Sequence, residues 1–212
     1  LGFKEPFPVL RNQGMIWAGG GEKMSKSKGN VVTPDAMVEK YGADALRLWE
    51  LFMGPFEEAT NWNEDGVFGT ARYLQRVWGV VRRYVEAGCP AGAPSAETIK
   101  RAHKTVRTVT DQVERMRFNT ALATLMDQLN YIAKLTPAEL GRFTIESYVL
   151  MLAPMAPYVG EEFWRELGHN KSIHLEAWPK FDAELTRDET VTVVVQVNGK
   201  VRDRLQVPAG MS

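Results

Sequence analysis

Three lysines stand within six residues in the run Lys23-Met24-Ser25-Lys26-Ser27-Lys28-Gly29-Asn30, spaced by small or flexible side chains and preceded by Gly19-Gly20-Gly21. Ammonium groups on a glycine-flanked loop suit phosphate chemistry. Lysine supplies point charge, while backbone N–H groups and the N-terminus of a following helix attract the anion. That helix is announced by Thr33-Pro34-Asp35. Glycines on both sides let such a loop open and close. The same composition also fits a solvated Lys/Ser linker, so the residues by themselves leave two readings open.

The elements that would position the loop are legible on either side. Pro6 and Pro8 discourage helix near the start, and Met15-Ile16-Trp17 reads as a short buried strand delivering the chain to the glycines. A strand followed by a ligand loop fits the edge of an α/β nucleotide-binding domain. After the loop, Thr33 reads as an N-cap with Pro34 at the first helical position, and Gly42 ends this helix near Tyr41. A second helix, about 43–53, carries Ala45, Leu48, Trp49 and Phe52 on one face, and Gly54-Pro55 stops it before an acidic loop ending at Trp62.

Helical periodicity then dominates. The pattern predicts helices over about 64–87, 96–116, 119–135, 137–152 and 157–168. Ser95 caps the second of these, and Thr136-Pro137-Ala138-Glu139 is a capping box opening a helix that carries Leu140, Phe143, Tyr148 and Leu152. The expected fold is mainly α: an antiparallel helical bundle after the strand-loop remnant of an α/β domain. Residues 190–207 change to alternating valines around Asn198-Gly199, a C-terminal β-hairpin. A three-residue loop keeps the odd-numbered valines on one face with Val201 and Leu205 and gathers Lys200, Arg202 and Arg204 opposite, so that register is predicted. The expected domains are 1–62, the end of a catalytic domain; 63–180, the helical bundle; and 181–212, the start of a truncated C-terminal domain.

Composition narrows the classes. The 212-residue chain has zero formal net charge, so no global field draws nucleic acid. The charge is uneven, however: residues 72–117 hold ten Lys/Arg against four Asp/Glu. One face there carries Lys100, Arg101, Lys104 and Arg107, a candidate RNA-facing surface. Cys89 is the single cysteine, which excludes an intrachain disulfide and fits a reducing compartment. His103, His169 and His174 lack metal-ligand spacing, and no metal site is expected. No apolar run approaches membrane-spanning length, and no signal peptide is visible.

The string KMSKS at Lys23–Ser27 matches the signature of class I aminoacyl-tRNA synthetases letter for letter. The strings YGADALRLWELFMGPFEEATNWNEDG (41–66), GTARYLQRVW (69–78) and VQVNGKVRDRLQVP (195–208) resemble the bacterial leucyl-tRNA synthetase family, across nearly the whole chain. The resemblance implies a leucine–tRNA ligase, which activates leucine with ATP to leucyl-adenylate and transfers it to tRNA(Leu). By that resemblance Lys26 binds ATP and stabilises the leaving pyrophosphate, and Lys23 is a second cation. Met24, Ser25 and Ser27 complete the ATP-binding loop, Mg2+ arrives with ATP, and Lys28 is solvated. The bundle would be of the anticodon-binding type, supporting tRNA together with the cations on 100–107 and 200–204.

The family's HIGH motif and its editing domain are missing from this sequence. Only seven residues separate Met15 from Lys23, too few for the insertion some members carry there. The resemblance therefore implies a C-terminal fragment that is inactive alone, from a cytoplasmic, monomeric enzyme. Isoleucyl, valyl and methionyl synthetases share part of the pattern, and a non-catalytic tRNA- or protein-binding module is the alternative class.

Overall fold

The structure is a computed structural model that describes residues 2, 5–187, 190–197 and 200–208; within the last two ranges Arg202 is the one residue whose side chain is described. It is mainly helical. In chain order come β1 (Ile16–Trp17), α1 (Pro34–Tyr41), α2 (Ala43–Phe52), β2 (Thr60–Asn61) and α3 (Glu64–Glu86). These are followed by α4 (Ala96–Glu114), α5 (Phe118–Ile132), α6 (Pro137–Leu140), α7 (Arg142–Leu152), α8 (Pro157–Glu166), β3 (Thr190–Val197) and β4 (Lys200–Pro208).

Local chemistry explains most boundaries. Asn63 accepts the Asp65 amide at 2.9 Å to start α3, and Ser95 accepts the Thr98 amide at 3.1 Å to start α4. Thr136 and Glu139 form the reciprocal capping box of α6. Thr33 occupies the N-cap position of α1 in extended conformation, but its hydroxyl makes no cap bond. The helix expected over 137–152 is broken into α6 and α7. Gly141 sits there at φ +66°, where a Cβ would lie 2.9 Å from Pro94. The interruption turns Phe143 outward; it is exposed rather than part of the core and stacks on His103 at 4.4 Å.

The core lies among α3, α4, α5, α7 and α8. Val81, Val106, Leu122, Leu125, Leu129, Ile145, Leu152 and Phe163 are fully buried. Side chains of this size contribute roughly 1.5–3 kcal/mol each on burial. α2 packs on α3 and α5, so the helix pair that follows the lysine loop is part of the same body.

β1 and β2 pair in parallel, Ile16 opposite Thr60 and Trp17 opposite Asn61. The approach is close: a Cβ on Gly14 would fall 1.9 Å from the Glu58 carbonyl oxygen. β2 lies in the segment expected to be acidic loop.

β3 and β4 pair antiparallel with Val197 opposite Lys200, so only residues 198 and 199 intervene, and the expected three-residue loop is corrected to two. A register shift between Val195 and Gln196 then sets Val195 opposite Asp203, Val193 opposite Leu205 and Val191 opposite Val207. The extra residue at this bulge is Arg202, and it restores the odd-to-odd pairing expected for the valines.

Candidate functional site

The lysine loop is held at both ends. At the start, Ala18 donates to the Glu22 carbonyl at 2.8 Å and Gly21 to the Ala18 carbonyl at 3.1 Å. Gly20 and Gly21 take φ values of +94° and +81°, which side chains rarely tolerate. Lys26–Lys28 then form one 3-10 turn, closed by Gly29 in left-handed conformation.

Asn30 braces the loop from inside. Its Oδ1 accepts the Ser25 amide at 2.8 Å, and its Nδ2 donates to the Lys23 carbonyl at 3.4 Å. The Ser25 and Ser27 hydroxyls share a hydrogen bond of 2.8 Å. Met24 is half-buried beside a hollow that Val32, Met37, Leu46 and Trp62 also line.

The three lysines differ. Lys28 donates to Glu22 at 2.9 Å and its side chain stays 55% exposed, a surface ion pair on a lysine that is solvated as expected. Lys23 and Lys26 are exposed, and among the described residues no carboxylate pairs with either. Two ammonium groups without internal counter-charge, on a loop whose backbone is pinned, can meet an anion without first breaking an ion pair. Among the described residues no group of His, Cys, Asp and Glu could hold a metal ion.

A cleft of about 390 Å³ lies beside this site, between the β1–β2 pair and α2, lined by Gln13, Arg47, Glu50, Phe56 and Phe118 among others. Burial pushes the Glu50 carboxyl up, against the pull of Arg47. The cleft does not include the lysines.

The elements behind the loop are locked to the bundle by polar contacts. Glu64, at the start of α3, accepts Lys40 at 2.7 Å and the Tyr41 hydroxyl at 3.0 Å. Both contacts hold the Glu64 carboxyl below its usual range. The buried Thr70 hydroxyl donates to the Ala45 carbonyl at 2.7 Å. Asp44 accepts the Val159 amide at 2.7 Å, and Arg47 donates to the carbonyls of Pro154 and Met155 at 3.3 and 3.4 Å. Sequence reasoning passed over Asn30, Asp44, Arg47 and Glu64. Their signals were polar residues at fixed places in the strings flanking the loop, with partners far away in sequence.

The basic face expected on α4 is largely engaged within the chain. Arg101 contacts the Asp127 carboxylate, donates to Gln128 at 3.1 Å and lies 4.6 Å from the Tyr131 ring centroid. Arg107 donates to the Thr186 hydroxyl at 2.9 Å. The segment around 178–187 packs along this helix: Trp178 donates to Thr110 at 2.8 Å and the Asp182 amide to His103 at 3.0 Å. Lys100 and Lys104 are half-buried. Of the cations expected on the last two strands, the Arg202 side chain is exposed, and those of Lys200 and Arg204 lie outside the described residues.

A family profile described as the anticodon-binding domain of tRNA ligase matches residues 96–212, and one described as class I tRNA synthetases (I, L, M and V) matches residues 1–63. The leucine–tRNA ligase of Dehalococcoides mccartyi is 45% identical over 220 residues, covering 100% of this chain and 27% of the relative. That of Chlorobium phaeovibrioides is 45% identical over 210 residues, covering 98% of this chain and 26% of the relative. The ternary complex of Agrobacterium radiobacter K84 agnB2 LeuRS-tRNA-LeuAMS is structurally similar, with a TM-score of 0.82 at 32% identity over 99% of this chain and 29% of that chain. The chain thus spans about a quarter of the length of these relatives, 27% for the first.

Proposed function

The chain belongs to the tRNA ligase family that carries an anticodon-binding domain, and from that premise we propose that it is the lysine-loop and tRNA-supporting part of a leucine–tRNA ligase. The observation that carries this reading is the pair of exposed ammonium groups, Lys23 and Lys26, on the braced loop, with no carboxylate partner among the described residues.

The reaction joins the leucine carboxylate to the α-phosphorus of ATP, forming leucyl-adenylate as the bond to the pyrophosphate oxygen breaks. The leucyl group then passes to tRNA(Leu). Lys26 engages the phosphate oxygens that become the leaving pyrophosphate, and Lys23 adds a second positive charge. Ser25 and Ser27 hold the loop conformation through their shared hydrogen bond, and Met24 seats it. Mg2+ enters with ATP as part of the substrate. The helices from residue 63 to 180 form the antiparallel bundle that supports tRNA by shape and backbone contacts, and 181–212 begins a further domain. The enzyme is cytoplasmic and monomeric. Among the described residues no helix is long and apolar enough to cross a membrane.

Amino-acid-dependent ATP–pyrophosphate exchange by the complete polypeptide tests the reading. Exchange driven by leucine supports it. Exchange driven by isoleucine, valine or methionine keeps the mechanism and changes the specificity.

A further inference from the structure

We infer that Asp44 is a positioning residue for the lysine loop: one carboxylate on the first turn of α2 ties the helix pair behind the loop to the N-terminus of α8. The inference rests on the reading of that loop as an ATP-phosphate site.

Asp44 is 4% exposed, and its Oδ2 accepts the Val159 amide at 2.7 Å. α8 has Ala156 at its cap position, which offers no side-chain acceptor to the free amides of the first turn. Asp44 supplies that acceptor from 115 residues away. It does so from the second position of α2, whose own cap residue, Gly42, also makes no side-chain bond. One carboxylate thus serves near the positive ends of two helices.

Arg47 completes the grip. Its guanidinium donates to the Pro154 and Met155 carbonyls, so α2 holds the α7–α8 corner by an amide with its acid and by carbonyls with its base. An asparagine could accept the Val159 amide without placing a charge in the interior. The chain has a carboxylate there instead, with its Oδ1 buried and unpartnered.

The route to the loop is short. Gly42 alone separates α2 from α1, and α1 starts four residues after Asn30. The hollow beside Met24 is lined by Met37 of α1 and by Leu46 and Glu50 of α2. Leu46 lies on the same turn as Asp44. A shift of that turn changes the seat of Met24, and with it the two lysines on either side.

The test compares wild type, Asp44→Ala and Asp44→Asn in the complete polypeptide by leucine-dependent pyrophosphate exchange, corrected for folded active sites, and by amide hydrogen exchange. Asp44→Ala is expected to lower turnover about tenfold or more, leave the leucine KM within about twofold, and speed amide exchange both at 157–160 and across 23–41. Asp44→Asn, which retains the acceptor, is expected to recover most of both effects. Faster amide exchange confined to 157–160 with unchanged turnover, or equal impairment in the two variants, overturns the inference. If wild type shows no leucine-dependent exchange, the ligase reading falls by itself, and amide exchange across 23–41 decides whether Asp44 positions the loop.

Discussion

Asn30 Oδ1 accepts the Ser25 amide at 2.8 Å, across the base of the turn that carries Lys26. This side chain braces the short, glycine-bounded loop that carries the exposed Lys23 and Lys26. Asn30→Ala removes two hydrogen bonds to the backbone, of which the short one to Ser25 is worth about 1 kcal/mol net. Adenylate formation is expected to slow about fivefold, with little change in melting temperature, because the loop lies outside the core. Steady-state pyrophosphate exchange beside a thermal melt checks both parts. An unchanged rate would mean that the brace is idle in the reacting enzyme.

The cationic face of α4 is largely engaged in packing. Arg101 is one-third exposed, with its side chain at 33%, and is bound up between α4 and α5. Arg101→Ala is expected to destabilise the bundle by about 1–2 kcal/mol, discounted for solvent screening of its ion pair. Urea denaturation measures that loss. If Lys100 and Lys104 track RNA phosphates, changing both to alanine lowers the slope of log affinity against log salt for tRNA binding by about two. An equal slope would remove this face from the RNA surface.

Burial raises the Asp44 carboxyl above its ordinary range, against the opposing pull of the Val159 and Tyr158 amides, Arg47 and His174. Between its unfolded and folded pKa the native chain therefore binds more protons than the unfolded one, so this group's contribution to stability falls as pH rises through that window. Asp44→Asn lacks the titration. The stability of wild type relative to Asp44→Asn is expected to decline from acid toward neutral pH in parallel denaturation series. A difference that grows with pH would show the carboxyl to be depressed instead.

Gly66 lies on α3 against the Trp49 ring, where a Cβ would fall 2.4 Å from the ring atoms. Gly66→Ala is expected to cost about 1–3 kcal/mol through overpacking, with a change in tryptophan fluorescence. The exposed Gly69, one turn on, has open space at its Cβ position, and Gly69→Ala is expected to be neutral or mildly stabilising. Paired melts of the two variants separate packing from helix propensity.

The helices and their starts were readable because the caps are local: Asn63, Ser95 and Thr136 announce themselves within four residues. The break at Gly141 was not readable, since the apolar spacing runs straight through it and the contact that leaves no room for a side chain, with Pro94, is far away in sequence. β2 escaped notice because Thr60-Asn61 is polar and too short to alternate. In the site, Lys23 and Lys26 were marked by residue type and spacing. The resemblance set them apart from Lys28, whose ion pair was not legible, because it depends on Glu22 folding back across six residues. The links through Asp44, Arg47 and Glu64 join residues distant along the chain, and no local pattern encodes such pairs. The α4 cations were read as one surface because helical spacing shows which residues share a face, but not which later segment covers it.

The central claim is that Lys26 carries charge to the phosphates of ATP in the transition state. Leucine-dependent ATP–pyrophosphate exchange by the complete polypeptide, wild type beside Lys26→Ala, tests it most directly. A loss of about a hundredfold or more in the rate, with the fold intact by circular dichroism, is the predicted result. A Lys26→Ala enzyme that exchanges at the wild-type rate would contradict it and leave the loop as a solvated linker on a binding module.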